Sequence, residues 1–578
     1  MTLRDASRVG SSGTADLLAS ARAWLAEDPD PETRAELTEL LGRVEAPTDD
    51  PTDDPADDPA GVDDLADRFA GTLQFGTAGL RGALGAGPNR MNRVVVLRAA
   101  AGLAAYLRDV GATGPVVIGY DARKNSAVFA RDTAEVMTGA GFEALLLPRP
   151  LPTPVLAFAI GDQGAAAGVM VTASHNPPQD NGYKVYLGDG SQIVPPADAE
   201  IAARIEQVAQ GALADIPRGG SGAVLGEEVI ARYLARASSL VDSCGPREVK
   251  VVHTALHGVG SELALRALQL AGFAEPIPVT EQAEPDPTFP TVAFPNPEEP
   301  GAIDLALAKA AEVGADLVIA NDPDADRCAV AVPVPGPSAG SGNAGWRMLR
   351  GDEVGALLAD HLLRTGVTGT YACSIVSSSL LAKQAAAHGQ PFVETLTGFK
   401  WIGRVEGLAF GYEEALGYCV DPSVVHDKDG ISAAVRVVEL AAQLKAQGRT
   451  LLDRLDDIAR EHGLHATDQL SVRVTDLADI GRTMDRLRAT PPNALGELAV
   501  ESIDDLSAGT PLLPPTDGLR YRLSAGARVV VRPSGTEPKL KCYLEVVVPA
   551  SEDLAATRAE AARQLAALKD GIKAAAGL

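Results

Sequence analysis

From about residue 70, short apolar segments alternate with helical stretches, and this alternation strongly limits the folds open to the chain. GPVVIGYDA (114–122) has the pattern of a strand, and SAVFARDTAEVMTGAG (126–141) has the pattern of a helix. Strands that alternate with helices form βαβ units with parallel or mixed sheets. Similar units recur up to about residue 468. We therefore predict three successive α/β domains with mixed parallel sheets, followed by a C-terminal α+β domain.

Length and composition divide the chain further. At roughly 150 residues per domain, 578 residues suggest about four domains. Residues 47–59, PTDDPTDDPADDP, cannot bury apolar surface and repel one another, so we interpret them as a solvated linker. Residues 14–44 have the pattern of one or two amphipathic helices that dock onto the next domain. The predicted boundaries are 1–64 for these helices and the linker, then 65–224, 225–338, 339–468 and 469–578.

Charge and cysteine content exclude several classes of protein. The formal charge of −26 repels phosphate backbones and anionic lipids, so we expect neither nucleic acid nor a membrane as a partner. A small anionic ligand needs only a locally basic pocket. No apolar run reaches the roughly 18 residues of a membrane span. The first thirty residues show no apolar h-region and no cleavage-site pattern, so we expect no secretory signal. Five scattered cysteines without a CxxC motif favour reduced thiols and a cytoplasmic protein.

The first segment whose residues could carry out chemistry is VMVTASHNPPQDNGYKVY, residues 169–186. A strand leads into Ser174 and His175, and tight turns then return the chain so that Lys184 comes back nearby. A nucleophilic or phosphorylatable serine requires this rigidity and a neighbouring base or cation. The alternative is an ordinary hairpin turn.

The second segment is LVIANDPDADRCAVAV, residues 317–332, in which Asp322, Asp324 and Asp326 alternate. In an extended loop, alternate side chains project to one side. Three hard oxygen donors suit Mg²⁺ or Ca²⁺ rather than zinc. The loop is not an EF-hand, because Arg327 replaces the required glycine and Pro333 the required glutamate. We favour a metal site over a solvated acidic turn.

Two further segments contain groups that could bind a sugar phosphate. In FGYEEALGYCVDPSVVHDKDG (410–430), Glu413 and Glu414 could accept hydrogen bonds from sugar hydroxyls, and Lys428 could meet an anion. In VVVRPSGTEPKLKCYLEV (529–546), a loop between two strands offers backbone N–H groups, two hydroxyls and a guanidinium. This set suits a phosphate dianion. The alternatives are an exposed acidic turn and a polar β-turn. The groups of the second loop are Arg532, Ser534, Gly535 and Thr536.

Taken together, TASHNP, NDPDADR, GYEEALGY and RPSGTEPKLKCY resemble the α-D-phosphohexomutase family, over nearly the whole chain from FGTAGLRG (75–82) to KLKCYLEV (539–546). GYEEALGY and TGFKWIG (397–403) look most like the phosphoglucomutase-2/phosphopentomutase branch. The resemblance implies four domains around a central cleft, with the phosphoserine, metal, sugar and phosphate loops on successive domains.

The resemblance also implies roles for individual residues. Ser174 would carry the phosphoryl group, and one Mg²⁺ per chain would be bound by Asp322, Asp324, Asp326 and the phosphoserine oxygen. Proton transfer and charge stabilisation would fall to the catalytic neighbours Lys184, Arg81 and His175. The substrate would be bound by Arg327, Thr397, Gly398, Glu413, Glu414, Lys428, Arg532, Ser534, Gly535 and Thr536.

The implied activity is a phosphosugar mutase that interconverts glucose 1-phosphate and glucose 6-phosphate through a bound hexose 1,6-bisphosphate, which also serves as activator. A small phosphosugar is then the expected partner, and we expect a monomer or weak dimer. Phosphomannomutase, phosphopentomutase and hexose-1,6-bisphosphate synthase activities remain alternatives. Two departures bear on the sugar: Ala415 replaces a serine of hexose-specific relatives, and Tyr418 replaces a histidine of some mutases. A non-catalytic phosphosugar-binding protein ranks low, since Ser174, Lys184 and the three aspartates are present.

Overall fold

The computed structural model describes residues 11–45, 59–334, 345–474, 477–534 and 539–578. The predicted acidic linker at 47–59 lies outside these residues, apart from Pro59. None of the helices in the described ranges is long and apolar enough to cross a membrane.

Three N-terminal helices pack as a small cluster against the first domain. Trp24, Leu37 and Leu65, one from each helix, are buried together with Val94 of the first domain. Two helices thus cover the segment 14–44, for which the sequence predicted one or two amphipathic helices that dock onto the next domain. The helices are α1 (Ser11–Glu27), α2 (Pro31–Glu45) and α3 (Pro59–Phe69).

The first domain contains a six-stranded mixed sheet in the order β1-β5-β4-β2-β3-β6. Its central strands are buried because helices cover both faces, as is typical of parallel sheets. In β2, Val117 contributes to one apolar cluster, and Val116 and Ile118 to another on the opposite face. The elements are β1 (Leu80–Ala83), α4 (Arg93–Asp109), β2 (Val116–Tyr120), α5 (Ser126–Gly139), β3 (Ala144–Leu146), α6 (Thr153–Asp162), β4 (Ala167–Val171), β5 (Asp180–Leu187), α7 (Ala197–Ala209) and β6 (Ala223–Val224).

The second domain has a five-stranded sheet in the order β11-β10-β9-β7-β8. The strands β7, β8 and β9 are parallel. The strand β10 runs antiparallel to β9, and β11 runs antiparallel to β10. The elements are α8 (Glu228–Ser238), β7 (Val251–Thr254), α9 (Ser261–Leu270), β8 (Ile277–Pro278), α10 (Thr280–Ala283), α11 (Asp304–Val313), β9 (Leu317–Ala320), β10 (Ala329–Pro333) and β11 (Trp346–Met348).

The third domain has a four-stranded sheet in the order β13-β12-β14-β15, again with an antiparallel last strand. Asp429 caps α15 by accepting hydrogen bonds from two backbone N–H groups of its first turn. The elements are α12 (Gly351–Arg364), β12 (Thr370–Ser374), α13 (Leu380–Ala387), β13 (Phe392–Thr395), α14 (Phe399–Ile402), β14 (Leu408–Glu413), β15 (Gly417–Cys419), α15 (Gly430–Ala446) and α16 (Leu451–His462).

The fourth domain is an α+β unit with a six-stranded antiparallel sheet in the order β16-β21-β20-β19-β18-β17. A long Ala-rich helix near the C-terminus packs on this sheet through Leu565, Leu568 and Ile572. The elements are β16 (Leu464–Arg473), α17 (Leu477–Ala489), β17 (Ala494–Leu495), β18 (Leu498–Asp505), β19 (Leu519–Leu523), β20 (Arg528–Pro533), β21 (Lys539–Val548) and α18 (Leu554–Ala576).

The fold class agrees with the prediction, but two sheets extend past the predicted boundaries. β11 completes the second sheet although it lies beyond residue 338. The residues before it are rich in Gly, Pro and Ser, a composition typical of a linker between domains. β16 begins at Leu464, before the predicted start of the last domain at 469, and pairs with β21 along its whole length.

A buried ionic network joins the third and fourth domains. Arg528 Nε donates to Glu545 Oε2 at 2.6 Å, and Nη1 donates to Glu394 Oε1 at 3.1 Å. Arg528 also donates to the backbone carbonyl of Ser377, and Ser378 Oγ donates to Glu545 Oε1 at 2.6 Å. The Glu545 side chain is only 3% exposed, so it depends on these partners for its charge.

Replacing Arg528 with methionine should destabilise this junction. The Glu545 carboxylate would remain buried without its main cation, which typically costs about 3–5 kcal/mol. We expect thermal unfolding, followed by circular dichroism, to begin at a clearly lower temperature. Arg563→Met, which removes an exposed arginine of the same domain, should leave the curve almost unchanged. Equal midpoints for the two variants would contradict the role assigned to the network.

Candidate active site

Ser174 lies directly after β4 in a loop that the rest of the first domain holds in place. Its backbone has a positive φ of 51°, which is rare for a residue with a side chain. The Ser174 N–H donates to Thr172 Oγ1 at 2.9 Å. Arg123 Nη2 donates to the carbonyl oxygens of Ser174 and Asn176, both at 2.6 Å. These contacts fix the direction in which the hydroxyl points.

The loop after β9 brings the three aspartates together by turning. Carboxylate oxygens of Asp322, Asp324 and Asp326 lie within 4.8 Å of one another. The predicted extended loop is wrong: Ala325 has a φ of 53°, and its N–H donates to the carbonyl oxygen of Asp322 at 2.8 Å. The turn, rather than simple alternation along an extended chain, makes the carboxylates converge.

The first domain contacts this acidic cluster directly. Ser174 Oγ donates to Asp322 Oδ2 at 2.7 Å. Lys184 Nζ lies 2.7 Å from Asp324 Oδ2 and 2.9 Å from Asp326 Oδ2. Thr153 Oγ1, at the start of α6, donates to Asp324 Oδ2 at 2.7 Å. The serine, the lysine and the acidic loop therefore form one site across two domains.

The third domain and the acidic loop itself supply further cations. Lys428 Nζ lies 3.2 Å from Asp326 Oδ2. The Arg327 backbone N–H donates to Asp322 Oδ1 at 3.1 Å, and its guanidinium Nε lies 3.9 Å from Asp322 Oδ2. Arg81 Nη1 donates to Asn176 Oδ1 at 3.3 Å, beside the serine loop. The cationic residues predicted from separate segments thus surround one acidic cluster.

The donor set fits a hard divalent cation. Among the described residues, none donates a hydrogen bond to the buried Oδ1 atoms of Asp324 and Asp326. Buried carboxylate oxygens are normally satisfied, so these two atoms need a further partner. All donors are oxygens, which suits Mg²⁺ or Ca²⁺ rather than zinc. Asp322, Asp324 and Asp326 could therefore hold such an ion.

The pKa values of the three carboxyl groups are shifted in different directions. Burial and the charges of Asp324 and Asp326 raise the pKa of Asp322 well above its usual value. Burial also opposes ionisation of Asp324 and Asp326, but nearby cations, Lys184 foremost, outweigh it and hold the pKa of each below its usual value. Without a further cation, the cluster is short of positive charge at Asp322.

The pKa values of His175 and Lys184 are shifted in opposite directions. Burial, together with the cations Arg327 and Arg81, lowers the pKa of His175 well below its usual value. Its neutral ring places Nδ1 3.1 Å from Ser174 Oγ. Burial acts to lower the pKa of Lys184, but Asp324 and Asp326 outweigh it and raise the pKa. Lys184 is therefore held as a cation, whereas burial disfavours the charged form of His175.

The glutamate pair at the end of β14 points in two directions. Glu413 Oε1 accepts a hydrogen bond from the Gly398 N–H at 2.6 Å, which also brings the neighbouring Thr397 to this edge. Glu414 Oε2 accepts from Ser377 Oγ at 2.9 Å and from Ser374 Oγ at 3.1 Å. Burial and the charge of Glu413 raise the pKa of Glu414 to about 7. Glu413 is thus the better placed of the two to meet a sugar.

The side chain of Tyr418 lies in the core of the third domain. Its side chain is fully buried and stacks on Tyr412 with ring centroids 6.4 Å apart. The hydroxyl donates to the Gly351 carbonyl oxygen at 3.2 Å. The sequence-based interpretation of Tyr418 as a mark of sugar preference is therefore wrong, because the strand β15 turns this residue into the core. Ala415 remains half-buried at the turn.

The predicted phosphate loop joins β20 to β21. Arg532 lies near the end of β20, opposite Lys541 in the antiparallel register. The Ser534 N–H donates to the Lys539 carbonyl oxygen at 2.8 Å. Gly535 and Thr536 lie outside the described residues, so their predicted role stays a prediction.

Comparison with protein-family models places this geometry in a known group. Four models match in succession: phosphoglucomutase/phosphomannomutase alpha/beta/alpha domains I (residues 72–212), II (231–336) and III (350–461), and the C-terminal domain (470–565). The chain belongs to the α-D-phosphohexomutase family. It is accordingly an enzyme of the mutase type, as the four motifs predicted.

Individual relatives agree on the family and differ in the sugar that they name. A Haemophilus influenzae protein named "Probable phosphomannomutase" is 51% identical over 463 residues, which cover 79% of this chain and 93% of that protein. Human phosphopentomutase is 36% identical, covering 84% and 87%. Human glucose 1,6-bisphosphate synthase is 33% identical, covering 94% and 92%. Among solved structures, a phosphoglucomutase/phosphomannomutase family protein from Burkholderia thailandensis shares the fold, with a TM-score of 0.66, 21% identity and coverage of 87% and 97%.

Arg123, the main support of the serine loop, was not predicted from the sequence. Its side chain is buried and also donates to the Pro177 carbonyl oxygen at 2.9 Å. It lies just beyond the carboxyl end of β2, next to the strand that carries Ser174. In open α/β sheets, functional residues collect at this edge. The same rule that selected Ser174 could therefore have selected Arg123.

The acidic cluster predicts cation-dependent stability. Adding millimolar Mg²⁺ should raise the thermal unfolding midpoint, because an ion that binds only the folded state stabilises it. Asp324→Asn should abolish most of this increase by removing a charged ligand. Asp286→Asn, at a half-buried position of the same domain outside the acidic cluster, should keep it. A full Mg²⁺ response in Asp324→Asn would show that the ion binds elsewhere.

Proposed function

We propose that this family member interconverts sugar 1-phosphates with sugar phosphates phosphorylated at the terminal carbon, through a phosphoserine at Ser174. The observation that carries the proposal is the contact between Ser174 Oγ and Asp322 Oδ2 at 2.7 Å. It sets a rigid hydroxyl beside three carboxylates and several cations. Phosphoryl transfer depends mainly on positioning and charge neutralisation, which this arrangement supplies.

In the proposed cycle, the phosphoserine phosphorus–oxygen bond breaks as a sugar hydroxyl forms a new bond to phosphorus. The hydroxyl loses its proton, and Ser174 Oγ regains one in the course of the transfer. Lys184 and Arg81 stabilise the moving negative charge, and His175 lies within reach of the serine oxygen. The bound bisphosphate then turns over, and its other phosphate returns to Ser174.

One Mg²⁺ per chain is proposed for the acidic cluster, where it would neutralise charge on the transferred phosphoryl group. Asp322, Asp324 and Asp326 would hold it, together with a phosphoserine oxygen. The ion suits the two unsatisfied carboxylate oxygens of Asp324 and Asp326. A hexose 1,6-bisphosphate would act as intermediate and activator, in keeping with the name of a synthase to which the chain is similar.

The far end of the substrate is assigned to the other loops. Glu413 would accept hydrogen bonds from sugar hydroxyls, and Arg532 and Ser534 would bind the phosphate that is not being transferred. This phosphate changes identity when the intermediate turns over. The loop must therefore recognise charge, whereas the sugar is recognised by groups such as Glu413.

Glucose 1-phosphate and glucose 6-phosphate are the proposed substrate pair. Ribose 1-phosphate is a second candidate, because Ala415 offers no hydroxyl to a hexose and human phosphopentomutase is 36% identical. We propose that the protein acts as a monomer or weak dimer. We propose a cytoplasmic location from the cysteine pattern.

The phosphoserine hypothesis predicts a modified form. A fraction of purified protein should be heavier by one phosphate in intact mass spectrometry, and Ser174→Ala should lose both the modification and nearly all mutase activity. Ser221→Ala, at an exposed position of the same domain, should retain both. Wild-type rates in Ser174→Ala would rule out the mechanism.

The choice of sugar is tested by rates on glucose 1-phosphate, mannose 1-phosphate and ribose 1-phosphate with Mg²⁺ and bisphosphate. We expect glucose 1-phosphate to lead by at least about tenfold, which corresponds to ~1.4 kcal/mol. Ala415→Ser should shift kcat/KM further toward hexoses by restoring a hydroxyl. Tyr418→Phe, altered only in the core, should leave the ratio unchanged. A lead for ribose 1-phosphate would establish the pentose alternative.

A further inference from the structure

Lys400 reaches from the third domain across the cleft to the first. It belongs to the short helix α14, and its Nζ donates a hydrogen bond to Thr77 Oγ1. Thr77 lies in the segment FGTAGLRG, which also carries Arg81. A side chain of the third domain therefore contacts the segment that carries Arg81, next to the Ser174 loop.

Gly398 contacts both Lys400 and the carboxylate of Glu413, the residue proposed to bind the sugar. The Gly398 N–H donates to Glu413 Oε1 at 2.6 Å. Its φ is 111°, and a Cβ at this position would lie only 3.1 Å from Cε of Lys400. The lysine stem thus lies over the residue that orients Glu413. Glycine is favoured at this position because a φ of 111° is strained for a residue with a side chain.

Charges of both signs lie around Lys400. Burial lowers the pKa of Lys400; Glu413 and Asp198 oppose this, and Arg532 adds to it. Glu413, Asp198 and Arg532 are therefore all within electrostatic range of the ammonium group. Within the described ranges of the chain, no carboxylate forms an ion pair with Lys400. A half-buried ammonium group whose partner is a neutral hydroxyl can still form an ion pair with an anionic ligand.

We propose that Lys400 binds the phosphate that is not being transferred, together with Arg532, and exchanges Thr77 for this phosphate when substrate enters. The inference rests on the proposed function and adds a phosphate ligand to it. Lysine suits the task because it is a compact charge on a flexible stem. It can follow a phosphate that arrives on either end of the sugar, whereas the planar guanidinium of Arg532 requires a more fixed geometry.

The test compares Lys400→Met with Thr77→Val and with Lys309→Met, which removes an exposed lysine of the second domain. KM and kcat are measured with the sugar phosphate that the wild type converts fastest, and free bisphosphate is measured during turnover. Lys400→Met should raise KM about 10- to 100-fold, change kcat less, and release more bisphosphate into solution. Thr77→Val and Lys309→Met should stay within about threefold of the wild-type KM.

Two results would overturn the inference. One is a wild-type KM in Lys400→Met. The other is an equal rise of KM in Thr77→Val, which would show that Lys400 stabilises the contact between the first and third domains rather than binding phosphate. If the wild type converts none of the three sugar phosphates, the proposed function is refuted. The role of Lys400 is then tested by calorimetry with inorganic phosphate: weaker binding by Lys400→Met supports the inference, and equal binding refutes it.

Discussion

Three carboxylates buried in one loop create the electrostatic requirement around which the domains are arranged. Asp322, Asp324 and Asp326 lie within 4.8 Å of one another, and uncompensated charges at that density are strongly unfavourable in a protein interior. The compensating cations come from different parts of the chain: Lys184 from the first domain, Arg327 from the loop itself and Lys428 from the third domain. Charge balance therefore joins three domains at one point, and the position of Ser174 against Asp322 results from it.

The sheets make this convergence possible because three domains use the same local design. In each, a strand parallel to its inner neighbour is followed by an antiparallel strand: β4 by β5, β9 by β10, and β14 by β15. The functional loop lies at that reversal, where Ser174, Asp322 and Glu413 occur. Ligands in open α/β sheets bind at such edges. Because these sheet edges face one another, they line a cleft to which each domain contributes a different chemical group.

This design explains what the sequence could predict. Strand–helix alternation and the four motifs are local features, so they yielded the fold class, the serine, the acidic loop and Glu413. Contacts between distant segments were not accessible: Arg123 acts on carbonyl groups 51 and 53 residues away, and Lys400 meets Thr77 across 323 residues. Tyr418 was misjudged for the same reason, since only the packing of β15 against Tyr412 shows that the ring faces the core. The pairing of β11 with β10 likewise depends on a hairpin whose connecting sequence looks like a linker.

Both ends of the cleft combine cations with carboxylates, in a chain of formal charge −26. At the serine end, Lys184, Arg327 and Lys428 contact the three aspartates, and Arg81 lies beside the serine loop. At the far end, Lys400 lies within electrostatic range of Arg532 and of the carboxylates Glu413 and Asp198. A local concentration of cations is what allows an acidic protein to attract a small anion. In the proposed function, a phosphosugar bound by its phosphate at the far end would direct its free hydroxyl toward Ser174, so that binding at one end would orient the reacting group at the other.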